Sequence, residues 1–300
     1  MYKLVALILP IAVAALLVFY IQQPVDNIDN IDKVDERISL QQLEVNSSAD
    51  LEAAFEAMGY SWPPTLVPAI ELQTFPSDLA DMTNSKQRKA LFFRALLPIV
   101  LAENAMIEEM RDQLVVLFAK GVNRLNSTEL HWLESVAEQY QIEESLSQPQ
   151  VQQKLLRRVD VVPPALVLAQ AANESGWGTS RFALTGNNLF GQYTYRDTDS
   201  IVPLSRPAGE TRSIRAFSSL DDSVRSYIHN LNTNRAYTEL RNMRQQMRTD
   251  GKGLSGHQLA KGLGAYSERG AAYIEEIQGM IRSNQLPAVL DGVSLRPEGP

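Results

Sequence analysis

Glu174 is the residue in this 300-residue sequence whose position most strongly indicates chemistry. It lies just after an apolar run at 165–172, and Gly176, Trp177 and Gly178 follow it. Burial disfavours a charged carboxylate, so a glutamate rarely ends so apolar a helix without a function. A carboxylic acid that stays neutral can act as a general acid and protonate a leaving group. Trp177 offers a flat face for a sugar ring.

Other chemistries fit the sequence less well. Glu174 has a structural alternative, a helix end that forms a salt bridge with Arg181. Ser175 and Ser180 lack the His and Asp pattern of a serine hydrolase. The chain has no cysteine, which excludes thiol catalysis and thiolate metal sites. Its three histidines are too far apart for an HExxH site, and we expect no metal or cofactor. The formal net charge of −7 argues against nucleic acid as a partner.

The elements that must position Glu174 are predicted to be mainly helical. Pro163 and Pro164 begin the buried helix that leads to it, because proline is tolerated in a first helical turn. A long helical pattern starts at Ser85 and contains Pro98, which predicts a kink or a restart. Residues 126–129, Asn-Ser-Thr-Glu, resemble a capping box. Hydrophobic periodicity predicts further helices near 51–58, 150–158, 220–231, 237–247 and 271–281, and β-like residues predict a small hairpin lobe at 189–217. The fold class is therefore α+β, mainly α.

Residues 4–21 are uncharged and apolar, and a helix of this length nearly spans a bilayer core of about 30 Å. Lys3 precedes the segment and acidic residues dominate after it, which favours a cytoplasmic N-terminus. A cleaved signal peptide needs small residues just after the apolar run, but residues 20–24 read YIQQP. We therefore favour an uncleaved transmembrane anchor over a signal peptide. The rest of the chain is expected in the periplasm or cell-wall space, with the cytoplasmic membrane as a partner.

The residues around Glu174 resemble the peptidoglycan endo-β-N-acetylglucosaminidase family, which is glycoside hydrolase family 73-like. Two runs carry this resemblance, AQAANESGWG at 169–178 and GNNLFG at 186–191. Further runs resemble the membrane-associated Bax-type branch, among them LLPIVL at 96–101 and SYIHNLNT at 226–233. The resemblance covers roughly residues 66–285.

This resemblance implies a lysozyme-like fold whose substrate groove lies between a helical body and the small β lobe. It implies hydrolysis of the β-1,4 bond after N-acetylglucosamine in peptidoglycan glycan strands. Glu174 matches the family's general acid and Tyr266 its active-site tyrosine, with Tyr273 as a second tyrosine. The family usually has Thr-Asp-Pro between the tyrosines, whereas residues 267–272 read SERGAA here.

The same resemblance extends to the groove. Asn187, Asn188 and Phe190 match the stretch that lines it, and the two amides either hold the substrate's acetamido group or cap the β turn. Tyr193 and Tyr195 either stack on sugars or pack a core, as alternate aromatic residues on strands usually do.

The second carboxylate of a two-acid glycosidase is not assigned to one residue. Its distance from the acid is about 5–5.5 Å for retention and about 6.5–9.5 Å for inversion. Asp197, Asp199 and Glu210 in the β lobe are candidates, each with a plain surface role as the alternative. Participation by the substrate's acetamido group would remove the need for this residue.

Two other functions remain open. A lytic transglycosylase or muramidase would act on the same substrate and leave different ends, and a cell-wall-binding scaffold would bind glycan without turnover. The predicted segments are an anchor at 1–23, an acidic linker at 24–65, a helical support region at 66–148, a lysozyme-like glucosaminidase domain at 149–287 and a disordered tail at 288–300.

Overall fold

The computed structural model describes residues 40–194, 199–202 and 213–296. The predicted anchor at 1–23 lies outside the described residues, as do Tyr195, Asp197 and Glu210. The chain divides into two units, residues 1–36 and 37–300, and all described residues belong to the second. This unit is mainly helical with a few short strands, which confirms the α+β class.

The helices and strands follow one another along the chain as follows. The α-helices are α1 (Ser48–Ala57), α2 (Ser85–Lys120), α3 (Ser127–Gln139), α4 (Pro149–Arg158), α5 (Pro164–Ser175), α6 (Arg181–Gly186), α7 (Leu220–Thr233), α8 (Thr238–Thr249), α9 (Gly256–Leu259), α10 (Ala271–Ser283) and α11 (Leu286–Val289). The strands are β1 (Gln41–Gln42), β2 (Ile70–Glu71), β3 (Tyr193–Thr194), β4 (Ser200–Ile201) and β5 (Ser213–Arg215). Short 3-10 helices occupy Ser77–Asp81, Val122–Arg124, Arg235–Tyr237 and Ala260–Leu263.

The helix α2 is the longest element among the described residues and runs through Pro98 without a restart, one of the two outcomes predicted for this proline. Asn84 caps its first turn by accepting from the backbone N–H groups of Lys86 and Gln87, and Gly121 ends it. The helix has the length and hydropathy of a membrane span, but 78% of its apolar window is buried inside the fold. We therefore assign α2 to the core.

The helix α3 begins with the capping box predicted from the sequence. The Asn126 side chain accepts from the Glu129 N–H, and the Glu129 carboxylate accepts from the Asn126 N–H at 2.8 Å. The two carboxylate oxygens also accept from Lys120 Nζ at 2.6 Å each, so this cap joins the end of α2 to the start of α3.

Two segment predictions differ from the structure. Part of the expected acidic linker is folded, because α1 buries Leu51 and Phe55 in the core. Part of the expected disordered tail is also ordered. Leu295 forms a parallel bridge with Val67, and the Arg296 N–H donates to the Val67 carbonyl at 2.7 Å.

The β lobe is a three-stranded antiparallel sheet in the order β3-β5-β4. Tyr193 pairs with Ile214 on one side, and Ile201 pairs with Ile214 on the other. Gly186 lies directly against this sheet, since a Cβ at that position would stand 2.5 Å from the Ile201 Cδ1 atom. The α6–β3 connection can approach the sheet this closely only with glycine.

One hydrophobic core extends from Leu51 to Leu286 and includes residues of both the support region and the family-like region. The helix α5 packs between α2 and α10, and α2 also packs against α7. The helix that carries Glu174 is therefore held from one side by the support region.

Candidate active site

Glu174 lies in the last turn of α5, where the helix leaves the core. Residues 165–172 are all buried, whereas Glu174 is half-buried. Gly176 adopts a left-handed conformation with φ 58° and ends the helix directly after this turn. The helix thus holds the carboxylate at the boundary between core and solvent, rather than in the buried position expected from the sequence.

A chain of hydrogen bonds leads to Glu174 from the interior. The Tyr227 hydroxyl donates to Gln170 Oε1, and Gln170 Nε2 donates to the Tyr273 hydroxyl oxygen at 2.8 Å. The Tyr273 phenol also interacts with the Glu174 side chain, and this interaction adds to burial in raising the pKa of the phenol. Since Gln170 already supplies a proton to the Tyr273 oxygen, the Tyr273 proton is available to the carboxylate. Gln170 and Glu174 are four residues apart on α5 and so share one helix face.

Four tyrosines surround the carboxylate. Burial raises the pKa of each phenol, and the nearby negative charge of Glu174 raises it further. These hydroxyls therefore stay protonated through the physiological range and act as neutral hydrogen-bond groups. The tyrosines are Tyr227, Tyr237, Tyr266 and Tyr273, which together with Phe190 we call the tyrosine cluster.

Tyr266 is placed in this cluster, but its hydroxyl points to the backbone. It donates to the Phe190 carbonyl at 2.8 Å, and its ring stacks on Tyr273 with centroids 5.4 Å apart. Phe190 in turn stacks on Tyr227 with centroids 3.9 Å apart. Tyr266 therefore fixes the turn at Phe190, whereas Tyr273 makes the direct contact with Glu174.

Gly191 brings the backbone of the β lobe next to the acid. A Cβ built at this residue would lie 3.6 Å from Glu174 Oε2, and its φ of 66° is in the left-handed region. The other carboxylate oxygen, Oε1, accepts weakly from Asn173 Nδ2 at 3.4 Å. Glycine therefore keeps space open beside the carboxylate.

The two asparagines predicted in the groove hold the turn of the β lobe. Asn188 Nδ2 donates to the carbonyls of Gln192 and Arg215 at 2.8 and 2.7 Å, and its Oδ1 accepts from Gln192 N–H at 3.0 Å. Asn187 Nδ2 donates to the Phe217 carbonyl at 3.2 Å. Both residues are buried, so these contacts correspond to the turn-capping alternative.

Trp177 faces the support region. Its ring meets Phe92 and Phe93 edge to face at centroid distances of 5.8 and 5.2 Å, and Lys89 Nζ lies 4.5 Å over the ring. These contacts bind the loop after Glu174 to α2 and differ from the exposed sugar platform that the sequence suggested. Arg181, the salt-bridge partner of Glu174 in the structural alternative, lies over the Phe182 ring.

Tyr193 and Asp199 line a cavity between α2, α7 and the β lobe, and the residues that line it do not include the tyrosine cluster. Tyr193 is 53% exposed. The Asp199 backbone is in a left-handed turn with φ 54°, and its carbonyl accepts from the Ala216 N–H at 2.7 Å.

Gln170 and Tyr227 were not singled out from the sequence. Gln170 gave a signal, because it is the polar residue inside the run ALVLAQAA and a buried amide requires hydrogen-bond partners. No feature of the sequence distinguishes Tyr227 from other core aromatic residues, because its partner Gln170 is 57 residues away in sequence.

Comparison with known proteins identifies a family model, a relative and a solved structure to which this chain is similar. The model of a family described as mannosyl-glycoprotein endo-beta-N-acetylglucosaminidase matches residues 150–286. The chain is 32% identical over 209 residues to protein bax of Escherichia coli (strain K12). The matched region covers 69% of this chain and 74% of that protein. It is similar to the solved C-terminally truncated glycoside hydrolase domain of Salmonella typhimurium FlgJ, with 25% identity and a TM-score of 0.31 over 42% of this chain and 85% of that one. Glu174 and the whole tyrosine cluster lie within the family match.

Proposed function

Since the chain belongs to the glucosaminidase family and is a glycoside hydrolase, we propose that it cleaves the β-1,4 bond after N-acetylglucosamine in peptidoglycan glycan strands. Glu174 is the proposed general acid. The observation that carries this assignment is the hydrogen-bond chain from Tyr227 through Gln170 to Tyr273, whose phenol interacts with the Glu174 carboxyl group.

In the proposed reaction, Glu174 protonates the leaving glycosidic oxygen and becomes a carboxylate. The Tyr273 hydroxyl then stabilises the new negative charge, because a hydrogen bond to an ion is stronger than one to a neutral acid. Half-burial of Glu174 supports the same role, since one carboxyl oxygen must reach a substrate while the residue remains held by the core.

We propose that the substrate's acetamido group assists at the anomeric carbon, which then needs one protein carboxylate. The side-chain groups that contact Glu174 in the described residues are the Tyr273 phenol and the Asn173 amide. Asp199, the described candidate for a second acid, lines a cavity between α2, α7 and the β lobe. Water attacks the resulting intermediate, with Glu174 now acting as the base.

The same single-acid arrangement supports lytic transglycosylase action as the second candidate. There a substrate hydroxyl attacks instead of water, and the product carries a 1,6-anhydro end. A lysozyme-like fold of residues 149–287 suits either reaction.

The test is product analysis by mass spectrometry on purified glycan strands with wild type, Glu174→Gln and the control Glu268→Gln. Loss of a general acid lowers turnover by roughly 10²–10⁴-fold. We expect this loss with Glu174→Gln only, and products with reducing N-acetylglucosamine ends. Unchanged turnover in Glu174→Gln contradicts the assignment of the acid, and 1,6-anhydro ends contradict hydrolysis.

We also propose that residues 1–23 anchor the protein in the cytoplasmic membrane, with the catalytic region in the periplasm or cell-wall space. The uncharged apolar run at 4–21 and a substrate in the cell wall support this location. Fractionation of cells, followed by N-terminal sequencing, distinguishes an intact anchor from a cleaved signal peptide.

A further inference from the structure

A polar cavity of about 860 Å³ lies between α2, α7 and the β lobe. The helix α7 contributes Asp222, Arg225 and His229 to its wall, residues that recur at intervals of three and four. Tyr227 and Asn230 project from another face of α7, towards Tyr237 and the tyrosine cluster. The cavity and the Glu174 site therefore share α7 as a common wall.

The cavity wall carries fixed charges of both signs. Arg225 forms ion pairs with Asp221, with Asp222 at 3.1 Å and with Glu103 at 3.5 Å. Arg215 donates to Ser226 at 3.0 Å and lies 4.7 Å over the Phe217 ring. These contacts hold both guanidinium groups in place, and a preorganised charged site loses little side-chain entropy when a ligand binds.

We propose that this cavity binds the stem peptide of the peptidoglycan strand that occupies the Glu174 site, an inference that rests on the proposed function. The N-acetylglucosamine units of the strand are neutral, whereas stem peptides carry free carboxylates and an ammonium group. A wall with Arg215 and Arg225 beside Asp222 and Glu103 offers partners to both kinds of charge.

The dimensions of the site allow one strand to occupy both positions. Gly191 adjoins the Glu174 carboxylate, and Tyr193 at the cavity edge is two residues further, within about 7 Å along the backbone. A helix with its side chains is about 10–12 Å across. A stem of about four residues extends about 13 Å, which is enough to pass from the strand around this edge.

The experiment compares kcat/KM on glycan strands that bear stem peptides with kcat/KM on strands stripped of them by an amidase. Wild type is measured beside Asp222→Asn and Arg215→Gln, which each remove one charge from the cavity wall at nearly constant size. The controls Asp81→Asn and Arg124→Gln remove the same charges at exposed positions elsewhere. Binding of a free stem peptide to each protein is measured in parallel by calorimetry.

We expect wild type to prefer stem-bearing strands by about tenfold, the size of one charge-assisted hydrogen bond. Both cavity variants should reduce this preference at least threefold and weaken the binding of free peptide, with activity on stripped strands unchanged. Equal wild-type activity on the two substrates, or a full preference in the cavity variants, overturns the proposal. If wild type cleaves neither substrate, the proposed function fails, and the titration with free peptide still decides whether the cavity binds it.

Discussion

Tyr227, Gln170 and Tyr273 form a directed chain of hydrogen bonds beside Glu174. Gln170 accepts from Tyr227 and donates to Tyr273, so the order of the protons is fixed along these three residues and the Tyr273 proton is available to Glu174. A buried chain of this kind is rigid because breaking any link leaves a buried polar group unsatisfied. The acid is thereby positioned by residues that need not touch the substrate.

The two tyrosines of the family-like segment are expected to respond differently to substitution. Tyr273→Phe removes the donor to Glu174 and should lower kcat by about 10- to 100-fold with little change in KM, since a hydrogen bond to a charged group contributes about 1.5–3 kcal/mol. Tyr266→Phe removes a bond to the Phe190 carbonyl and should lower stability by about 1 kcal/mol, with a smaller effect on kcat. Steady-state kinetics and urea unfolding of both variants measure the difference. A larger loss of kcat in Tyr266→Phe than in Tyr273→Phe contradicts the geometry.

The sequence predicted the location of Glu174 at a helix end but not the partners of the nearby side chains. The glycines at 176, 178 and 191 indicated a turn, and local spacing carries that information. Asn187 has its partner after β5 and Trp177 has its partners in α2, whereas Asn188 bonds both to the nearby Gln192 and to Arg215 in β5, 27 residues away. Such contacts depend on the tertiary fold, and local spacing does not encode them.

At the scale of elements, Asp160 joins three helices through one buried carboxylate. It is 1% exposed and lies 2.5 Å from Arg248, 3.4 Å from Arg244 and 3.7 Å from Arg111. The arginines come from α8 and α2, and Asp160 lies just before α5. This cluster therefore holds the start of the Glu174 helix against both neighbours.

Asp160→Asn should destabilise the fold by about 3–5 kcal/mol, because it leaves a cluster of partly buried arginines without their counter-ion. Urea unfolding at constant ionic strength measures the change. Asp250→Asn is the matched control, since its pair with Lys252 is exposed and should shift the midpoint very little. Equal midpoints for Asp160→Asn and wild type would show that the cluster contributes no net stability.

The cap of α3 predicts a dependence of stability on pH. The hydrogen bonds from Lys120 and then from the Asn126 N–H lower the pKa of Glu129 in the folded protein. A depressed folded-state pKa contributes stability above the unfolded value of about 4.3. That contribution is lost as pH falls through the lower folded value.

Glu129→Gln keeps the capping geometry but removes the charge, so it should lower stability by about 1 kcal/mol at neutral pH, after allowance for the half-exposed Lys120. The difference from wild type should decrease as pH falls below the unfolded value of about 4.3. Thermal unfolding from pH 3 to 7 tests this, with Glu144→Gln as a control for an exposed Glu–Lys pair of the same 2.6 Å length. A difference that persists unchanged at the lowest pH contradicts the linkage.

The positions of the helices were the feature of the fold that the sequence predicted best. The continuity of α2 across Pro98 was the feature that it predicted least well. The capping box at Asn126 and the proline start of α5 are local signals, and both are confirmed. Of the kink or restart predicted at Pro98, the restart does not occur, because the buried neighbours of α2 keep the helix continuous across the missing hydrogen bond. Tertiary packing determines whether α2 continues across Pro98, and the local sequence around this proline does not predict it.

At the scale of the whole molecule, the family-matched part of the chain shares its core with the segment before it. The helix α2 contributes Phe92, Phe93 and Leu96 to the core that surrounds α5, and it packs on α7 as well. The sequence suggested a helical support region at 66–148 because the hydrophobic periodicity there is helical. The apolar face that this region covers depends on the tertiary fold. The structure shows that α2 covers a face of α5, the helix that carries Glu174.

This shared core predicts which parts of the chain fold alone. A fragment of residues 149–287 contains the whole tyrosine cluster but exposes the faces of α5 and α7 that α2 covers. Each Å² of apolar surface exposed in this way lowers the stability of the fold by about 25 cal/mol. We expect it to lack a cooperative thermal transition and to bind hydrophobic dyes. A fragment of residues 37–300 retains α1, α2 and α11 and should unfold cooperatively, with wild-type kcat on soluble glycan strands. Circular dichroism and activity assays on the two fragments decide the matter. A cooperative, active 149–287 fragment would show that α2 is dispensable, and that the support region has a role other than holding the acid in place.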